Sequence, residues 1–263
     1  MFIDTRQISD GKALIVTVCV IGGGVAGLTI ARELEQAGVD TCVLESGGFE
    51  PDDQTRDLYR GAATGIDYQF ADGCRARFLG GSSNCWGGWS RPLDAWDFEQ
   101  RDWIPHSGWP FGLQEMTPYY ARTHEVLKLG PVNFDPQYWE QSIGRNDVRR
   151  LPLDSGDVRD TISQFSPPVR FGKHYRQALK VARHVRVFLY ANVTELVPDA
   201  LSLRIKQVRV QTLNGKTMTV AARLFVLASG GIENARLLLA SNHIISQGIG
   251  NQHDLVGRYF MDH

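Results

Sequence analysis

The chain has 263 residues, 43% hydrophobic and 22% charged, with a formal net charge of −1. These values are ordinary for a globular protein with a sizeable core, and the near-neutral charge excludes nucleic acid as the expected main partner, because that affinity depends on neutralising phosphates. No apolar run reaches the roughly 20 residues of a membrane helix, and the first residues do not resemble a signal peptide, so a cytoplasmic location is expected.

The first predicted unit is a strand, a helix and a second strand. Residues 13–21 form an almost continuous apolar run, which is typical of a parallel strand covered on both faces. Residues 26–37 carry apolar side chains at helical spacing, and Gly38 stands where a helix ends. Residues 41–45 predict the second strand, so the connection between the strands should be right-handed.

Between the first strand and the helix lies a glycine motif, Gly22, Gly24 and Gly27. Such a turn lets backbone amides approach a pyrophosphate, and the helix N-terminus that follows favours negative charge. A bare match of this kind is weak, but Glu45 lies about 20 residues further on, where a carboxylate can accept hydrogen bonds from ribose hydroxyls. The unit therefore predicts a dinucleotide site, and Glu45 disfavours a 2′-phosphate by charge repulsion.

The middle of the chain is less regular. Residues 47–73 and 131–168 are polar or rich in proline and predict irregular excursions, whereas residues 113–129 and 175–182 predict helices. Towards the C-terminus the pattern favours strands, with Asn214 and Gly215 as a hairpin turn. The predicted strands are residues 185–193, 201–212, 216–221 and 223–228, and a helix follows at 232–241.

The four cysteines predict no metal site or disulfide. Cys19 and Cys42 lie within the first two predicted strands and are interpreted as small buried core residues. None of the seven histidines stands in a triad or a metal-binding pattern, and we expect His124 and His174 to be structural.

Residues 77–88 form a second glycine-rich segment with two serines, an asparagine, a cysteine and a tryptophan. Its backbone can come close to a flat or phosphorylated group, although a tight surface loop has the same composition. With this loop, the chain resembles the glucose–methanol–choline (GMC) family of oxidoreductases. The resemblance also rests on the N-terminal glycine motif, residues 108–120, Asn192-Val193, residues 227–236 and residues 256–263.

The resemblance implies FAD as cofactor and removal of hydride from a CH–OH group to flavin N5, with a base, usually histidine, taking the hydroxyl proton. The loop around Cys85 looks closer to a bacterial sugar-dehydrogenase branch, which acts on gluconate, fructose or glucosides, than to plain alcohol or choline oxidases. Some relatives attach the flavin through a histidine at this position, which Cys85 excludes. A cysteinyl link is chemically open, although packing is the usual role of such a residue.

No residue of the chain matches the family's catalytic motif, so no catalytic residue and no metal ligand are assigned. The partners expected are a small sugar or alcohol, an unidentified electron acceptor, and a C-terminal half or partner subunit. The residues assigned to FAD by the motifs and the resemblance are Gly22, Gly24, Val25, Ala26, Gly27, Glu45, Ser46, Arg77, Gly80, Gly81, Ser82, Ser83, Asn84, Cys85, Trp86, Gly87, Val193, Ala228, Ser229 and Gly230.

The predicted fold class is α/β. A Rossmann-like FAD-binding domain over residues 12–263 has a parallel sheet with a βαβ start and an appended β-hairpin, and the substrate domain is largely absent. Two alternatives stay open. An NAD-dependent dehydrogenase would share the first glycine motif but has no use for the second loop. A non-catalytic FAD-binding subunit of a split enzyme would share both.

Overall fold

A computed structural model describes residues 1–65, 75–145, 147, 149–153, 156, 158–199, 201 and 204–261. The chain divides into two compact units. The sheet unit combines Met1–Cys85 with Arg170–His263, and the inserted unit is Trp86–Val169. Cys74, one of the four cysteines, and Asp262 and His263, the last two residues of the segment 256–263, lie outside the described residues.

Within the described residues, nine strands form. In chain order they are β1 (Phe2–Asp4), β2 (Lys12–Ile21), β3 (Thr41–Leu44), β4 (Trp89–Ser90), β5 (Gln164–Phe165), β6 (Val185–Leu189), β7 (Asn192–Pro198), β8 (Ile205–Gln211) and β9 (Thr217–Leu227). Seven of them make the sheet of the sheet unit, in the order β1-β6-β3-β2-β9-β8-β7. The first five of that order pair in parallel, while β8 pairs antiparallel with both β9 and β7.

The described helices are α1 (Val25–Gln36), α2 (Asp53–Asp57), α3 (Leu113–Leu127), α4 (Pro136–Ile143), α5 (Phe171–His174), α6 (Arg176–Val181) and α7 (Gly231–Ala240). Helix α1 packs against β3 and β6, as the crossover of a βαβ unit should, and α7 packs against β7. The predicted α/β fold, its βαβ start and its hairpin are therefore confirmed.

In β2 the face that points to the core changes between Val16 and Cys19, although the register with β9 is the same before and after this point. The backbone N–H groups of Thr17 and Val18 both donate to the carbonyl oxygen of Asp40, at 3.0 and 3.1 Å. Val16 and Cys19, three positions apart, both join the buried cluster.

Cys19 pairs in register with Cys42 on β3, and both side chains are fully buried, as the sequence predicted. A hydrogen bond to Cys42, together with burial, raises the pKa of the Cys19 thiol far above its usual value. Both cysteines act as small core residues here.

Two predicted strand boundaries are wrong. The predicted strand 185–193 is two strands, β6 and β7, because the chain turns at Tyr190, whose φ is +57°. Conversely, the predicted strands 216–221 and 223–228 are one continuous strand, β9. The exposed Arg223 interrupted the apolar pattern, but the strand continues through it, and β9 pairs with β2 on both sides of it, at Ala222 and Leu224.

Other differences have local causes. The predicted helix 175–182 is α6, and the short helix α5, which was not predicted, precedes it and ends at His174. The stretch 131–168, predicted to be irregular, contains α4, whose start combines an Asp135 side-chain cap with Pro136 in the first turn. The strand β1 was not predicted, because three residues are too few to show a period.

The inserted unit is built around α3 and the short antiparallel pair of β4 and β5. His124 of α3 is buried, its Nδ1 lies 2.8 Å from the carbonyl oxygen of Gly130, and its ring packs edge-on against Phe134. This confirms the structural role expected for His124. Across the residues that the structure describes, no helix combines the length and apolarity required to span a bilayer.

Candidate cofactor site

The turn that joins β2 to α1 lies at the carboxyl edge of the parallel strands. At two of its glycines the fold itself leaves no room for a side chain. A Cβ on Gly27 would lie 1.9 Å from the carbonyl oxygen of Gly22, and a Cβ on Gly22 would lie 2.5 Å from that of Ala228. Gly22 also has a φ of +109°, which disfavours other residues. These glycines let the helix and β9 approach the turn.

The middle glycine of the motif has a different environment. A Cβ on Gly24 would meet its nearest protein atoms, at Gly81 and Ala228, only at 3.8 and 4.0 Å, which is ordinary contact. Its φ of −82° and ψ of −166° are accessible to any residue. The protein around Gly24 thus does not require glycine. A ligand that lies against the backbone would require glycine at this position. The turn therefore fits the pyrophosphate of a dinucleotide.

Glu45 follows β3 and faces this turn. Its Oε2 accepts a hydrogen bond from the backbone N–H of Gly23 at 2.8 Å, and its Oε1 accepts one from Gly47 at 2.8 Å. The side chain is buried, so it is not an ordinary surface carboxylate. Burial raises the pKa of Glu45 above its usual range, although the Gly47 and Gly23 N–H groups and the nearby Arg77 act in the opposite direction. Each oxygen keeps lone-pair capacity for a ribose hydroxyl.

The second glycine-rich segment lies directly against the first. The N–H of Gly80 donates to the carbonyl oxygen of Gly23 at 2.8 Å, and a Cβ on Gly81 would lie 2.9 Å from Cα of Gly24. Residues Gly81–Asn84 form a short 3₁₀ turn. The structure therefore brings together two segments that are far apart in the sequence.

Two side chains of this segment point into the protein. Ser83 is fully buried, donates to the carbonyl oxygen of Gly80 at 2.7 Å and accepts from the N–H of Phe171 at 3.0 Å. Asn84 donates from Nδ2 to the carbonyl oxygens of Leu79 and Gly81. Both shape the turn, whereas Ser82 and Cys85 are exposed.

A charged network borders the turn on its other side. Arg77 donates to Glu233 at 2.7 Å and to the Oγ of Ser46 at 3.0 Å. Ser46 in turn donates to the Oδ1 of Asn192 at 2.6 Å. The motifs and the family resemblance assigned Arg77 and Ser46 to the site but not Glu233. The signal for Glu233 was an acidic residue in the first turn of a helix that follows a strand and two glycines.

The remaining assigned residues divide between the two units. Val25 and Ala26 occupy the first turn of α1. Ala228, Ser229 and Gly230 follow β9, where Ser229 donates from Oγ to the carbonyl oxygen of Ile21 at 3.0 Å. Val193 is half-buried in β7. Trp86 and Gly87 belong to the inserted unit.

Among the described residues, no group of histidine, cysteine and acidic side chains could hold a metal ion. The described part of the site is suited to binding a ligand. Two glycine turns offer backbone donors, and a buried carboxylate and a guanidinium lie beside them.

The family described as FAD dependent oxidoreductase matches residues 17–248. No match is found among curated proteins. Among solved structures, a formate oxidase superposes with a TM-score of 0.55 at 18% identity, over 88% of this chain and 48% of its own. A pyridoxine 4-oxidase from Mesorbium loti gives 0.54 at 18% identity, over 85% of this chain and 51% of its own.

A formate oxidase of Aspergillus oryzae RIB40 gives a TM-score of 0.54 at 19% identity, over 94% of this chain and 52% of its own. At this identity the likeness shows the fold. The chain spans about half the length of these solved structures.

Proposed function

Because the chain belongs to the FAD-dependent oxidoreductase family and its cofactor is FAD, we propose that the two glycine turns of the sheet unit bind the cofactor and that the whole protein oxidises a CH–OH group of a sugar or alcohol. The observation that carries the binding site is that the surrounding fold leaves room for a side chain at Gly24 and so does not require glycine there. Glu45 supplies the acceptor for the ribose hydroxyls, and the start of α1 faces the pyrophosphate.

Bound FAD would supply the acceptor for a hydride from the carbinol carbon, with the hydroxyl proton passing to a base. The described residues of the sheet unit orient the cofactor. Gly80 and Gly81 hold the second turn against the first, and Ser83 fixes that turn from within. We assign no base to the described residues.

The GMC assignment and the donor class are supported by the glycine–serine loop and by the fold that the chain shares with a pyridoxine 4-oxidase and formate oxidases. Pyridoxine carries a hydroxymethyl group, which is a CH–OH donor. The loop at residues 84–88 favours the sugar-dehydrogenase branch over simple alcohol oxidases.

The binding proposal is tested on the chain as it stands. Purified protein is reconstituted with FAD, and flavin absorbance and the dissociation constant are measured. We expect a yellow protein that binds FAD and prefers it to NAD. After acid precipitation all flavin should appear in the supernatant. Flavin retained in the pellet, and lost in Cys85→Ser, would instead establish a cysteinyl link, and a colourless protein that reduces NAD would overturn the assignment.

The reaction is tested with a panel of sugars, alcohols and formate under anaerobic conditions, following the bleaching of flavin absorbance. An extended chain that covers the full length of the solved structures runs in parallel. Bleaching by a CH–OH donor supports the proposal. Bleaching by formate alone, or by none of the CH–OH donors with the extended chain, contradicts it.

A further inference from the structure

One buried carboxylate holds three guanidinium groups at the edge of the candidate site. Glu233 is 8% exposed, and its Oε2 accepts from Arg77 at 2.7 Å and from Arg236 at 2.8 Å. Its Oε1 lies 3.6 Å from Arg75. We call these four residues the Glu233 cluster. Arg75 and Arg77 are largely shielded from water, with side chains 14% and 11% exposed, whereas Arg236 is 51% exposed. A shielded guanidinium gains from each further anionic acceptor.

Arg77 is the member of the cluster that reaches across the site. One end of its guanidinium binds Glu233, which follows β9, and the other donates to Ser46, which follows β3. Strand β2 lies between β3 and β9 in the sheet, and its carboxyl end is the glycine turn. The guanidinium therefore spans the edge at which that turn begins.

The guanidinium plane is fixed, but its hydrogen bonding is incomplete. The ring of Tyr59 lies 4.4 Å from the guanidinium carbon of Arg77, which restrains its orientation. Among the described residues, the buried Nε of Arg77 has no hydrogen-bond partner. A buried donor without an acceptor costs about 1–3 kcal/mol. An anionic ligand that adds acceptors to this guanidinium would relieve this cost.

We infer that Glu233 is a positioning residue of the cofactor site, which holds the Arg77 guanidinium in place for the anionic adenosine diphosphate half of FAD. The inference rests on the proposed function, because it requires that the glycine turn receives FAD. Arg77 touches the ligand, while Glu233 acts through Arg77. The flavin half of the cofactor plays no part in the interaction.

The test uses ADP as a probe, by calorimetry, together with FAD. In Glu233→Gln the dissociation constants of both ligands should rise by about ten- to a hundredfold, the range for a hydrogen bond to a charged group. Glu195→Gln is the matched control. Glu195 also has a shielded side chain, 14% exposed, paired with an arginine at 3.1 Å, but it lies on β7 and pairs with β8. Its variant should bind ADP like the unmodified chain.

A double-mutant cycle separates positioning from a general loss of structure. In Arg77→Met the affinity for ADP should fall, and Glu233→Gln added to that variant should lower it no further. Independent, additive losses would overturn the inference. If Glu233→Gln does not fold, the variant Arg77→Lys is tested instead. It keeps the positive charge but cannot contact Glu233 and Ser46 at the same time. Unchanged ADP affinity in this variant overturns the inference.

The failure of this inference can be told from failure of the proposed function. If the unmodified chain binds neither ADP nor FAD, the proposed function itself is wrong. If it binds both and Glu233→Gln binds them equally well, only the positioning role is wrong.

Discussion

Gly24 and Gly27 of the same motif have different roles, and substitution of each by alanine distinguishes these roles. Gly24 has space for a Cβ in the protein, whereas Gly27 has a carbonyl oxygen 1.9 Å from that position. We predict that Gly24→Ala keeps its thermal stability and loses about 1–3 kcal/mol of FAD affinity, because the methyl group meets the ligand. Melting curves and a flavin titration measure the two quantities.

Gly27→Ala is the matched variant, and it should behave in the opposite way. Its methyl group must displace backbone, so we expect the free energy of unfolding to fall by about 1–3 kcal/mol. If Gly24→Ala binds FAD normally, the turn does not lie against the cofactor.

The pKa of Glu45 predicts how FAD binding varies with pH. Burial raises that pKa, and ribose hydroxyls bind the carboxylate better than the acid. FAD affinity should therefore increase as pH rises through the folded-state pKa, by at most about tenfold per pH unit, since one proton is linked. The dissociation constant, titrated at several pH values, gives the slope. Glu45→Gln should bind more weakly and without this slope; an equal slope in that variant would assign the titration to another group.

The same shift acts on stability with a defined sign. The folded chain keeps the Glu45 proton over an interval in which the unfolded chain has released it. Between the ordinary pKa and the raised one, this residue therefore lowers the free energy of unfolding as pH rises.

At the scale of elements, local sequence patterns predicted the strands, helices and turns that are determined by residues close together in the chain. The apolar run of β2, the helical spacing of α1 and the Asn214-Gly215 turn were all visible in the sequence. The split at Tyr190 was not, because a tyrosine with positive φ gives no local signal. Glu233 was missed for a related reason: its partner Arg77 lies 156 residues earlier in the chain.

The end of α1 is tied to the start of β6 through one carboxylate. The Glu35 side chain accepts from the backbone N–H groups of Arg183, His184 and Val185, each at 2.9 Å. Although burial acts in the opposite direction, these three bonds lower the pKa of Glu35. The stabilisation is present above the ordinary pKa of a glutamate and is lost as pH falls through the lowered one.

We predict that Glu35→Ala lowers the free energy of unfolding by about 1–3 kcal/mol, because three N–H groups lose a charged acceptor. Urea titration at neutral pH measures the change. Gln36→Ala, an exposed position of the same helix, serves as control and should change little. Equal stability of the Glu35 variant and the control would mean that water replaces the carboxylate without cost.

At the scale of the molecule, one stretch of strand edge in the sheet is unpaired among the described residues. Strand β8 pairs with β9 only up to Ala221, so among the described residues the rest of β9 has β2 as its one neighbour. On the face opposite the buried cluster, Ile15 is 80% exposed and Leu224 is 57% exposed. Unpaired strand edges and exposed apolar side chains favour association.

We therefore predict that the chain self-associates with increasing concentration and that the double variant Ile15→Lys, Leu224→Lys does so less. Light scattering coupled to gel filtration reports the mass. Val181→Lys, which is also exposed and lies at the end of α6, should behave like the unmodified chain. Association unchanged in the double variant would place the contact elsewhere.

The pairing of β2 with β9 also determines how long β2 lacks one of its partner strands during biosynthesis. Ser229 closes onto the carbonyl oxygen of Ile21, a residue 208 positions earlier. At roughly 5–20 residues per second, a ribosome needs about 10–40 seconds to make the intervening chain. Until β9 has been made, the edge of β2 that pairs with it has no partner strand, and we expect nascent chains to depend on chaperones during this interval. Slower synthesis lengthens this exposure, and silent codon changes between the two strands should alter the soluble yield without altering a single side chain.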